Sequence, residues 1–254
     1  MRKRTIAVPT RVLPMALRHA VLAAAMIAIA SCGASPAPFR DLDAPTSRPA
    51  GSPGHLVEEH AVRGAVIRDA VERGDLEAAR QAANALVELV TRHERPTPSS
   101  SLDAMVQAAR RVAAARDLRD AATSFAALAG RCGECHTQVG GPTSSPAAAP
   151  REALGVVPQM RRHHWGAARL WEGLVAPSDE SWRSGAAVLS AAPLRPEVSM
   201  GQTLTPEVDA LIAAVHDLGV RAADATNASS RIAVYGDLLT TCAACHERAH
   251  GGPR

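Results

Sequence analysis

Cys132-Gly133-Glu134-Cys135-His136 and Cys242-Ala243-Ala244-Cys245-His246 write one pattern, C-x-x-C-H, twice in a chain of 254 residues. On a helix, positions i, i+3 and i+4 share a face, so the two thiols of each pentad and the imidazole after them point at a common partner. This spacing attaches haem covalently, with two thioethers to its vinyl groups and the adjacent histidine on iron. It predicts two haems bound through Cys132, Cys135, Cys242 and Cys245, with His136 and His246 as proximal iron ligands. Two other chemistries use paired cysteines: a zinc site drawing four thiolates from both pairs, and a thioredoxin-like redox disulfide. Neither requires a histidine directly after each pair, and the βαβ context of the second is missing.

The fifth cysteine has a separate explanation. A basic segment (Arg2, Lys3, Arg4, Arg11, Arg18) leads into the apolar stretch Ala20–Ala30, which reads as a secretory signal rather than a membrane span. It ends in Ile29-Ala30-Ser31-Cys32, which resembles the lipobox of bacterial lipoproteins and predicts a lipidated Cys32 once residues 1–31 are removed. That removal takes five of 28 basic groups and none of 25 acidic ones, leaving 23 against 25. The mature chain then has no lysine and no basic stripe, which argues against nucleic acid as a partner.

The elements that must carry the two pentads are helical. Ala, Leu, Arg and Glu dominate and β-branched alternation is missing, so the fold class is all-α. Helices are expected over 55–73, 75–94, 101–116 and 118–138, and again over 158–175, 179–191, 206–224 and 228–249. Asp75 and Ser101 serve as expected N-caps, and Thr205-Pro206 as a cap followed by proline at the first helical position. Pro/Ala/Ser-rich stretches set the divisions: a flexible tether over 32–54, a first domain over 55–141, a linker over 142–156 and a second domain over 157–254.

The two halves are related to each other. An offset of 104 places Leu56, His60, Val71, Asp75, Ala82 and Ala83 on Met160, His164, Val175, Asp179, Ala186 and Ala187. An offset of 110 places Phe125, Leu128, Cys132, Cys135 and His136 on Tyr235, Leu238, Cys242, Cys245 and His246. Only six aromatic residues occur in the whole chain, so an Ala-rich core needs another source of apolar volume, and two porphyrins would supply it.

Each pentad sits near the end of its half, on the last helix. In this the chain resembles the class II c-type cytochromes, the cytochrome c-prime family. The resemblance spans 55–140 and 157–250 and implies two tandem four-helix-bundle cytochrome domains. It also implies that the first helix of each bundle covers the distal face of the haem, with Leu56 and Met160 at the positions nearest iron. His60 and His164 follow four residues later on the same face. Either His60 and His164 are the distal ligands of two bis-histidine haems, or Met160 is the distal ligand of the second while the first stays open beneath Leu56. His55, His93, His163 and His216 read as surface residues, with His163 the rival of His164.

A six-coordinate haem leaves no place for substrate and suits electron transfer. The expected function is therefore an exported dihaem c-type cytochrome acting as an electron carrier rather than a catalyst. The alternative is a gas-binding or sensing cytochrome with at least one five-coordinate haem; a dihaem peroxidase fits less well, because the halves look equivalent and no separate substrate domain stands out. Expected partners are periplasmic or membrane redox proteins and the membrane itself through the lipid anchor, with a homodimer compatible. The expected location is the periplasm-facing membrane surface or cell envelope. Trp165, Trp171 and Trp182 read as packing residues, and Arg161-Arg162 as solvated arginines or partners of haem propionates.

Overall fold

A computed structural model describes residues 53–92, 100–141, 144, 147–152, 155–191 and 205–250. The signal segment, Cys32, most of the tether and His93 lie outside the described residues, as do the side chains of His55 and Leu56. Everything with regular structure among the described residues is helical: α1 Pro53–Glu72, α2 Leu76–Arg92, α3 Ser100–Ala113, α4 Leu118–Val139, α5 Val156–Val175, α6 Asp179–Ser190, α7 Pro206–Asp224 and α8 Ala228–His250. None of them is long and apolar enough to cross a membrane.

Local chemistry explains the helix starts. The Asp75 carboxylate accepts from the Ala78 N–H at 2.9 Å, Asp117 from Asp120 at 2.8 Å, and Asn227 from Ser230 at 2.9 Å. Ser178 caps α6 through Ser181, and Thr205 caps α7 with Pro206 at its first position. Ser101 departs from expectation: α3 already begins at Ser100, and the Ser101 hydroxyl donates to Gln138 Oε1 at 2.8 Å. Between α1 and α2 the chain turns at Gly74 with φ +76°, a left-handed conformation that disfavours a side chain.

These caps also fix the register of the internal repeat. Asp75 and Ser178 do the same job, and the turn bond from the Asp75 N–H to the Ala70 carbonyl recurs from Ser178 to Gly173. The offset over the first two helices of each half is therefore 103 rather than 104. Over α4 and α8 it is 110, as Asp117 and Asn227 confirm.

Within each half, consecutive helices pack on one another, and α4 also packs heavily on α8. Gly130 lies against Ile232, and Gly236 against Ala126 and Ala122; as the number rises in α4 it falls in α8, so the two run antiparallel. Ala126 and Gly236 are equivalent residues of the repeat, so this crossing has local two-fold character. A single core runs through both halves, from Ile67, Leu86 and Phe125 to Leu170, Trp182 and Leu239. Contacts gather the described residues into one compact unit.

Small residues let α5 and α6 approach closely. A Cβ on Gly185 would lie 2.6 Å from the Gly166 carbonyl oxygen and 2.9 Å from the Leu170 nitrogen. Trp182 closes the end of this interface, with Nε1–H donating to the Ala222 carbonyl at 2.7 Å and the Arg231 guanidinium 5.2 Å from its ring. Alanine is intrinsically the better helix former by about 1 kcal/mol, but overpacking against backbone costs about 1–3 kcal/mol or more. Gly185→Ala is expected to lower the unfolding free energy by about 1–2 kcal/mol, read from urea denaturation beside the parent chain.

Candidate functional site

The two C-x-x-C-H pentads lie in the closing turns of α4 and α8, which places their thiols and imidazoles on regular helix. All four cysteines carry free thiols. Burial, with the neighbouring Cys135, pushes the Cys132 thiol up to about 12; burial, then the Glu72 carboxylate and Cys245, pushes Cys242 up as well. Such thiols stay protonated at neutral pH and do not suit disulfide exchange. Nor do the four sulfurs gather into a zinc site. Among the described residues the group of metal-capable side chains within 4.8 Å is Asp69, Glu72 and His164, and Arg68 already sits in it, 2.6 Å from Asp69 Oδ1.

In the first half, His60 of α1 faces His136 of α4, with ring centroids 6.0 Å apart and planes tilted by 37°. Ordinary ring packing covers this distance. So does a metal held between two imidazole nitrogens: bonds of about 2 Å on each side put the centroids roughly 6 Å apart. What favours the second arrangement is the chemistry around it. Cys132 and Cys135 share the His136 face, and His136 Nδ1 lies 2.7 Å from the Val175 carbonyl oxygen. A carbonyl only accepts, so Nδ1 carries a hydrogen, and in a neutral ring the lone pair lies on Nε2.

The second half places a different histidine from the one its sequence numbering suggests. His60 is the eighth residue of α1, and the eighth residue of α5 is His163. His163 is largely buried within electrostatic reach of His246; burial, then the Arg162 and His246 charges, pushes its pKa down to about 4. His164 points elsewhere: its Nδ1 meets Glu72 Oε2 at 2.9 Å, a bond that raises its pKa, and its side chain is 43% exposed. Met160, one turn before His163, is half-buried and aligns with Val57.

Beside the second pentad lies a polar network with no counterpart among the described residues of the first half. Glu72 is buried among Arg68, His164 and Tyr235, and its Oε1 and the Tyr235 hydroxyl have no hydrogen-bond partner. The equivalent of Tyr235 is Phe125. The remaining sequence candidates serve structure: Arg162 reaches the Pro150 carbonyl at 3.2 Å and Glu152 at 3.3 Å, His216 meets the Ala191 carbonyl at 3.3 Å, and Trp171 and Trp165 lie under Arg68 and Arg169.

The low pKa of His163 carries a sign. Folding holds its imidazole neutral down to about pH 4, whereas an unfolded histidine takes up a proton near its ordinary 6.5. Its contribution is therefore fully present above pH 6.5 and is lost as pH falls towards 4. In the metal-free protein, His163→Gln is expected to lose less melting temperature between pH 7 and pH 4 than the parent chain, measured by circular dichroism. Comparison with family models, with curated proteins and with solved structures returns no match for this chain.

Proposed function

We propose that this chain is an exported dihaem c-type cytochrome, two four-helix bundles in tandem held to a membrane surface by lipid on Cys32, and that it carries electrons. The observation that carries the reading is the facing pair His60 and His136 at 6.0 Å, on a helix face that also bears two free thiols. Bound there, haem supplies a one-electron redox couple.

The chain's own groups set the terms of that couple. Cys132 and Cys135, and Cys242 and Cys245, are the anchoring thiols. His136 and His246 are the proximal ligands, and His60 and His163 the distal ones. The depressed pKa of His163 supports its role, because a neutral imidazole is the form that ligates metal. A ligand on each face leaves no open position, which favours electron transfer over gas binding or peroxide chemistry.

The purified protein is expected to be red and, after denaturation, heavier than its mature chain by two porphyrins; colourless protein, or a mass without them, overturns the proposal. Ligand assignment is read from carbon monoxide binding to the ferrous protein. The parent is expected to bind slowly or not at all, His163→Ala to open one site, and His164→Ala to leave both closed. Rapid binding at both haems of the parent favours the gas-binding alternative. Cys32→Ser is expected to move the protein from the membrane to the soluble fraction.

A further inference from the structure

The contact between His136 and Val175 joins the two halves, because His136 lies in the last turn of α4 and Val175 ends α5. α5 reaches that point through a gap left by one residue. A Cβ on Gly133 would run into the Leu174 carbonyl oxygen and lie 3.5 Å from Pro177 Cγ. The repeat offers its own comparison. Gly133 corresponds to Ala243, and Pro177 corresponds to Gly74, which packs on Ala243 and Glu247. The end of each half's first helix thus abuts the other half's pentad, but only the first pentad has glycine at the point of contact.

We infer that the Val175 carbonyl is the positioning group for the first proximal ligand, admitted by Gly133, so that the first redox centre is tuned by the second half of the chain. The inference rests on the haem reading above. The carbonyl fixes the hydrogen on Nδ1 and aims Nε2 across the pentad face. An accepted N–H bond also raises the basicity of the imidazole, which stabilises the oxidised metal. Losing the bond removes that preference from one centre and leaves the other untouched.

The test compares the full-length parent with Gly133→Ala and Pro177→Gly. The first variant pushes α5 off the pentad, and the second loosens the α5–α6 turn and removes the ring packed beside Gly133 without changing a residue of α4. Both are expected to keep two porphyrins by mass. In each, one haem is expected to shift its midpoint potential upward by about tenfold in the reduction equilibrium, about 59 mV for one electron. Its electron paramagnetic resonance signal should change with it, while the second haem keeps both values. Two attached haems with unchanged potentials and spectra in both variants overturn the inference. A parent without porphyrin overturns the haem reading instead; the bond is then tested by nitrogen NMR of metal-free protein. There an Nδ1–H tautomer of His136 that persists in both variants overturns it, and one lost in them supports it.

Discussion

The antiparallel crossing of α4 and α8, where Ala126 meets Gly236, governs how everything else is placed. Because both pentads lie at the C-terminal ends of crossing helices, antiparallel packing sends them to opposite ends of the molecule. α1 and α5 must then run between the two ends. His60 faces one pentad while Glu72, twelve residues on, approaches the other, a rise of about 18 Å along α1. α5 does the reverse, from His163 beside His246 to Val175 beside His136. The first helix of each half thus sets a histidine towards its own pentad and ends against its neighbour's.

Composition makes this arrangement possible. With so few aromatic residues, the helices reach packing contact through alanine and glycine, and the closest approaches are backbone against backbone: Gly185 on Gly166, Gly173 on Trp182, Gly219 on Ser190. Close contact of this kind brings main-chain carbonyls within reach of functional side chains, as at Val175. It also leaves little slack, since a methyl group at these points meets atoms that cannot rotate away. The surroundings of the two pentads differ for a related reason. Glu72 and Tyr235 surround the second with buried polar groups, whereas Val175 and Phe125 stand at the equivalent places around the first.

Much of this is legible from residues alone, and the exceptions share a cause. Helix bounds follow from caps such as Asp75 and Thr205, whose side chains satisfy N–H groups a few positions on. The pentads follow from their spacing. The choice between His163 and His164 does not, because counting identities favours an offset of 104 while the caps obey 103. One residue on a helix is about 100° of rotation, enough to exchange a half-buried imidazole within electrostatic reach of His246 for an exposed one bound to Glu72. Aligning Asp75 with Ser178 as caps is the signal that pairs His60 with His163. The α4–α8 crossing leaves no such trace. A glycine such as Gly133 has no periodicity of its own, and its meaning depends on Leu174, a neighbour from the other half.

A two-fold crossing between equivalent surfaces is the geometry of a symmetric dimer, here drawn inside one polypeptide. The face of α4 formed by Ala122, Ala126 and Gly130 is complementary to its own counterpart, and the covalent connection holds that counterpart at high effective concentration. A chain ending after the first half would keep this face bare and would satisfy it by pairing with a copy of itself, rebuilding from two molecules the architecture that duplication has joined into one.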